Sequence, residues 1–285
     1  MARLLLMFSS FLFGLTGCDV HSPALQQDRL TSLGSAQTHA TATRINGEIR
    51  RRSVTIDGVS LSILEAGTGD PIIFVHGVVT TSNIFPKYLN AYSPDFRGIA
   101  VDLRGYGDSQ KPDSGFTIKQ FSKDLIALAD KLEIEKPIWV GVSMGGMILQ
   151  QLALDYPERV RALVLVSTTD GAMVLDKDLP TIGNPRDFRE ISKNIIVESF
   201  PPQTSATLYQ PLLDRIPTWN GTVLREALTS MAQASVQGRI NAITAPTLVV
   251  VGAKDDVATP AIARGIQTQI AGAQLVEFNT GHFMM

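Results

Sequence analysis

From residue 50 onward, apolar and polar positions follow two distinct periods. Ser53–Ile56 and Ser60–Leu64 alternate apolar and polar residues on either side of Asp57-Gly58, which predicts a β-hairpin closed by a two-residue turn. Short, almost wholly apolar runs follow at Ile72–Val75, Gly98–Val101, Ile138–Val142, Ala162–Val166 and Thr247–Val251, with another near Gln274–Phe278. Runs this short and this apolar suit parallel strands buried on both faces. Helical patterns lie between them. Thr117-Ile118-Lys119-Gln120 is a capping box that opens an amphipathic stretch to Leu132, apolar at Phe121, Leu125, Ile126, Leu128, Ala129 and Leu132. Met144–Tyr156 predicts a second helix, stopped by Pro157. Alternating strands and helices imply a parallel sheet covered by helices on both faces.

The rhythm breaks between about residues 172 and 242. Pro180, Pro185, Pro201, Pro202, Pro211 and Pro217 punctuate short helical patterns there, and no strand run occurs. This stretch is expected to be a cap inserted above the strand ends, with the sheet resuming at Thr247. The predicted organisation is one α/β domain over 49–285 carrying that cap.

The first 18 residues follow a different logic. Arg3 precedes an apolar stretch from Leu4 to Leu15, and small residues follow. At about a dozen apolar residues the run is short for a bilayer span and has the layout of a secretory signal. Leu15-Thr16-Gly17-Cys18 resembles the lipobox of bacterial lipoproteins, which implies a lipid on Cys18 and a mature chain that starts there. An ordinary cleaved signal or an uncleaved anchor would share the apolar run, but the position of the sole cysteine at its end favours the lipoprotein reading. The expected location is then the bacterial cell envelope, facing the periplasm or exterior. Asp19 resembles a signal for retention at the inner membrane. Residues 19–48 are polar and without pattern, and are expected to form a flexible tether spanning roughly 30 Å.

Composition narrows the function. Hydrophobic residues make up 44% and charged residues 18% of the 285, the balance of a protein with a sizeable core. A net charge of −2 argues against nucleic acid as a main partner, since phosphate binding needs a basic surface. One cysteine excludes an internal disulfide framework and a cysteine metal cluster. The histidines, His21, His39, His76 and His282, are too scattered to suggest a dedicated zinc site.

Gly141-Val142-Ser143-Met144-Gly145-Gly146 has the form G-x-S-x-G, directly after an apolar strand and at the start of a helix. That context predicts a strained turn that exposes the Ser143 hydroxyl. A serine needs a base to take its proton. His21 and His39 lie in the tether and His76 ends a strand beside Gly77, which leaves His282 in Asn279-Thr280-Gly281-His282-Phe283. The base in turn needs an acid. Gly252-Ala253-Lys254-Asp255-Asp256 puts two carboxylates past a strand end. Asp255 is preferred, Asp256 is the alternative, and Asp170 is a more remote one. The order Ser, Asp, His matches the nucleophile-elbow fold. An oxyanion hole needs two backbone N–H groups, expected from Met144 and, in the loop after His76-Gly77, from Val78.

His76-Gly77, Asp102-Leu103-Arg104-Gly105-Tyr106-Gly107-Asp108-Ser109, Gly141–Gly146, Gly252–Asp255 and Gly281-His282 together resemble the α/β-hydrolase family over roughly residues 50–285. Within it, Gly-Val-Ser-Met-Gly-Gly-Met with a modest cap is similar to small-molecule esterases, enol-lactonases and cofactor-free haloperoxidase-like esterases. Haloalkane dehalogenases and epoxide hydrolases usually carry aspartate where this chain has Ser143, which disfavours those chemistries. The resemblance implies a structural turn at Asp102–Ser109 and a closing helix after the histidine. The sequence stops at Met285, so that helix is expected to be missing. Either the chain is a fragment, or His282 is loosely held and one sheet face lacks cover.

The expected activity is hydrolysis of a small-molecule carboxylic ester or lactone through an acyl-serine, without cofactor or metal. An amide or carbon–carbon bond cut by the same triad is one alternative. A non-catalytic, membrane-tethered ligand-binding protein is another. Phe188, Phe200, Tyr209 and Trp219 either line the pocket or form a small core of the cap itself.

Overall fold

The computed structural model describes residues 48–93, 95–171, 185–200, 202–216 and 220–283. The leader, Cys18, Asp19 and nearly all of the tether therefore lie outside the described residues, as do Trp219 and the chain beyond Phe283, where the closing helix was expected to be missing.

Strands β1 (Arg50–Ile56) and β2 (Val59–Ala66) form the N-terminal hairpin. Its turn holds Asp57 at φ 42° and Gly58 at φ 80°, the paired positive φ of a type I′ connection. Next come β3 (Asp70–Val75), β4 (Phe96–Val101), β5 (Ile138–Val142), β6 (Ala162–Val166), β7 (Thr247–Gly252) and β8 (Gln274–Phe278). They join the hairpin in one eight-stranded sheet ordered β1-β2-β4-β3-β5-β6-β7-β8. β1 with β2 and β2 with β4 are antiparallel, and every other pair is parallel.

The chain runs outward from β3 to β4, then crosses back past β3 to β5. Right-handed crossovers in opposite directions put their helices on opposite faces. Helix α1 (Pro86–Tyr92) packs Leu89 and Tyr92 with Phe74, Ala100 and Val140. Helices α2 (Ile118–Lys131) and α3 (Met144–Asp155) pack Phe121, Leu125, Ile148 and Leu152 on the other face, with Ile73, Val75, Trp139 and Leu163. Successive strand residues alternate between these two clusters, as the two-residue period requires. Thr117 caps α2 by accepting from the Gln120 N–H at 3.1 Å.

Between β6 and β7 the chain leaves the sheet and forms α4 (Pro185–Glu198), α5 (Ala206–Leu213) and α6 (Gly221–Gln233). Phe188, Ile196, Val223, Leu224, Ala227 and Leu228 from α4 and α6 are buried in the main core, whereas α5 buries no residue fully. Helix α7 (Pro260–Gln269), capped by Thr259, then leads to β8. Neither α1 nor α7 stands out in the sequence pattern. Each is short and sinks only two residues, Leu89 and Tyr92 or Ala263 and Ile266, too few to set a helical period.

The Asp102–Ser109 segment is a buried polar knot at the end of β4. The Asp102 carboxylate, fully buried, accepts from the Ser82 N–H at 2.7 Å, the Asp108 N–H at 3.1 Å and Arg51 at 3.0 Å. Arg104 adds a two-pronged pair to Asp124 on α2, both bonds at 2.5 Å. Removing an acceptor that serves several buried donors leaves them unsatisfied. Asp102→Ala is expected to lower stability by about 2–4 kcal/mol, moderated because Arg51 remains partly solvated. Equilibrium urea unfolding of wild type and variant measures this, and a change below about 1 kcal/mol would contradict the role.

Candidate active site

Strand order reverses between β3 and β5, and open α/β sheets bind ligands outside the carboxyl ends of the strands at such a point. His76-Gly77 directly follows β3 and Ser143 directly follows β5. Ser143 has φ 53° and ψ −117°, a strained conformation for a residue with a side chain. The backbone is held there on both sides. Its N–H donates to the Val166 carbonyl at 2.9 Å, and the Thr168 hydroxyl donates to its carbonyl at 2.8 Å. The flanking glycines are forced by contact: a methyl on Gly141 would lie 2.6 Å from the Gly145 carbonyl carbon, and one on Gly145 would strike the Val75 carbonyl oxygen. The result is a half-exposed serine above buried neighbours.

The Ser143 Oγ lies 3.1 Å from His282 Nε2. His282 Nδ1 lies 2.9 Å and 3.0 Å from the two Asp255 carboxylate oxygens. Since a carboxylate only accepts, Nδ1 carries the proton and Nε2 offers its lone pair to the serine hydroxyl. Asp255 also accepts from the Val257 and Ala258 N–H groups at 3.0 and 2.8 Å, which fixes the carboxylate on the loop after β7. Asp255 and His282 are 3% and 5% exposed, so the pair works out of bulk water. Asp256 is exposed. Asp170 accepts from Gln269 at 3.2 Å and takes no part in the cluster.

The Met144 N–H, at the start of α3, and the Val78 N–H have no acceptor among the described residues, and a methyl on Gly77 would lie 3.3 Å from the Ser143 Cβ. The orientation of the Val78 N–H is set from behind. His76 Nδ1–H donates to the Gly77 carbonyl at 2.7 Å, and the Thr80 hydroxyl donates to it at 3.2 Å. In a trans peptide the C=O and the next N–H point opposite ways, so anchoring the Gly77 carbonyl inward turns the Val78 N–H outward. His76 Nε2 in turn accepts from the Leu103 N–H at 3.1 Å, which ties this loop to the Asp102 knot. The choice of base from sequence gives His76 no role of its own. The available signal was its place, directly after β3 and before the glycine.

Phe188 is core and 4% exposed. The Phe200 and Tyr209 rings meet tilted at 41° with centroids 5.4 Å apart, and Phe200 meets Phe283 at 43° and 5.3 Å, so they are joined to the histidine loop. Among the described residues, no three His, Cys, Asp or Glu side chains gather as a metal site.

A family model described as alpha/beta hydrolase fold matches residues 70–192, which take in Ser143. A solved hydrolase from Pseudomonas aeruginosa PA01 superposes with a TM-score of 0.76 at 26% identity, over 83% of this chain and 92% of that one. The chain has the α/β-hydrolase fold. An AB hydrolase superfamily protein of Bacillus subtilis is 29% identical over 80% of this chain and 90% of its own length. The 3-oxoadipate enol-lactonase 2 of Acinetobacter baylyi is 24% identical over 81% and 89%. The matched hydrolase-fold region ends before Asp255 and His282, so their pairing rests on geometry alone.

Full burial lowers the pKa of His76 from its ordinary 6.5, against an opposing pull from Asp102 and the Gly77 hydrogen bond. This agrees with a neutral ring that accepts at Nε2. Below 6.5 the unfolded chain takes up a proton that the native ring refuses. The contribution of His76 is therefore full above 6.5 and lost as the pH falls below it. NMR titration is expected to show a His76 midpoint below 6.5, with urea-unfolding stability falling under that pH. A midpoint at or above 6.5 would overturn the assignment.

Proposed function

We propose that this protein hydrolyses a carboxylic ester or lactone of a small molecule through an acyl-serine intermediate. The observation that carries the reading is the chain of contacts from Asp255 through His282 to Ser143, at 2.9 and 3.1 Å. Kinship with an enol-lactonase of Acinetobacter baylyi supports the choice of bond.

In this mechanism the Ser143 Oγ attacks the carbonyl carbon as its proton passes to His282 Nε2, general-base help worth about 10²–10⁴ in rate. Asp255 stabilises the imidazolium and keeps its orientation. The oxyanion lies against the Val78 and Met144 N–H groups, each contributing on the order of 10²–10³. Collapse breaks the carbon–oxygen bond, and His282 returns its proton to the leaving alcohol. Water, deprotonated by His282, then attacks the acyl-serine. The carbon–serine bond breaks, the acid leaves, and Ser143 regains a proton.

A fluorophosphonate probe tests this without knowledge of the substrate. The expected adduct sits on Ser143, is absent in Ser143→Ala, and forms at least about 10³-fold more slowly in His282→Ala. Folded wild-type protein that resists the probe would sink the reading.

We further propose that Cys18 carries a lipid that tethers the domain to the bacterial envelope, facing the periplasm or exterior. The support is the sequence around Cys18; among the described residues no helix is long and apolar enough to cross a membrane. Metabolic labelling with an alkyne fatty acid is expected to tag the full-length protein and to fail with Cys18→Ser, which should leave the membrane fraction. Equal labelling of both would refute the anchor.

A further inference from the structure

The loop that carries His282 is held from two sides of different origin. Upstream, the sheet holds it: the Lys254 N–H donates to the Thr280 carbonyl at 2.9 Å, and the Ala253 N–H donates to Phe278 at 2.6 Å. Downstream, the cap holds it. The Phe283 N–H donates to the Ser199 carbonyl at 3.1 Å, one residue past the end of α4, where helix carbonyls lack internal partners. Ser199 is itself buried and donates its hydroxyl to Ile195 at 2.5 Å. The ring of Phe283, a residue 6% exposed, lies 5.3 Å from the Phe200 ring, which in turn lies 5.4 Å from the tilted ring of Tyr209 in α5. The Phe283 ring also lies 5.6 Å from the His282 ring, tilted at 56°.

We infer that the cap positions His282: Phe200, backed by Tyr209, clamps Phe283 and so fixes the imidazole between Asp255 and Ser143. The inference rests on the proposed role of His282 as base. Downstream of the histidine, Phe283 is buried in the main core, and its main-chain hydrogen bond and its contact with the Phe200 ring come from cap residues 199 and 200. A shift of the cap therefore reaches the imidazole through a single intervening peptide. Misplacing a reacting group by about 1 Å costs on the order of 100-fold in rate. The cap then does more than wall a pocket, because its seating completes the triad. Phe200 and Tyr209 are positioning residues that act through Phe283.

The test compares wild type with Phe200→Ala, Phe200→Leu and Tyr209→Ala. Turnover of p-nitrophenyl acetate, whose acyl group is only two carbons long, is measured beside the low-field NMR resonance of the His282 Nδ1 proton without substrate. Phe200→Ala is expected to lower kcat about 10- to 100-fold with KM within about twofold, and to broaden or erase the low-field resonance. Phe200→Leu, which keeps apolar bulk, is expected to recover most of both. Tyr209→Ala removes a half-exposed ring, and is expected to give the same signature at about threefold. A raised KM with unchanged kcat and an unchanged resonance would make Phe200 only a pocket wall and overturn the inference. Wild type without turnover would instead defeat the hydrolase reading, while the proton resonance still decides whether the clamp exists.

Discussion

The constraint on which the site depends is the backbone of Ser143, held at positive φ between the end of β5 and the first turn of α3. Such a conformation costs on the order of 1–3 kcal/mol and persists only where the surroundings over-determine it. Here they do. β6 supplies the Val166 carbonyl and the adjoining Thr168 hydroxyl, while Gly141 and Gly145 let β5, α3 and the end of β3 close to contact distance. Relaxing the turn would withdraw the hydroxyl from the site and swing the Met144 N–H away with the helix start.

Around that turn, buried polar groups do what apolar packing cannot. His76 fixes one peptide plane by using both ring nitrogens, and Asp102 gathers the amides of two loops and the guanidinium of Arg51. Apolar contacts are non-directional; hydrogen bonds to a buried carboxylate or imidazole orient a loop, because leaving them unmade is costly. The Asp102–Ser109 segment thus lies one hydrogen bond from the loop that bears Val78, through His76 and Leu103. It belongs to the support of the site without touching reacting atoms.

The same logic extends to the cap. Helices α4 and α6 are seated by buried apolar residues, and among the described residues Ser199 and Phe200, just past α4, meet the histidine loop through a main-chain hydrogen bond and a ring contact. In the proposed mechanism, the seating of the cap therefore bears on where the His282 ring sits.

Much of this was legible in one dimension. Buried parallel strands must be apolar on both faces, so the core strands were readable nearly residue by residue, as at Ile138–Val142 and Ala162–Val166. Ser143 was readable because a strained strand-to-helix turn demands glycines at fixed local spacing. Helices α1 and α7 were not, since two buried residues do not make a period. Strand order, the side of the sheet that each helix covers, the preference of His282 for Asp255 over its neighbour Asp256, and the inward pull of His76 on Gly77 were decided only in three dimensions. Each pairs residues distant in sequence or depends on which of two adjacent side chains is buried. Local chemistry writes elements and turns into the sequence, whereas contacts across 27 or 139 residues, such as those of His282 with Asp255 and Ser143, exist only once the sheet has set the distances.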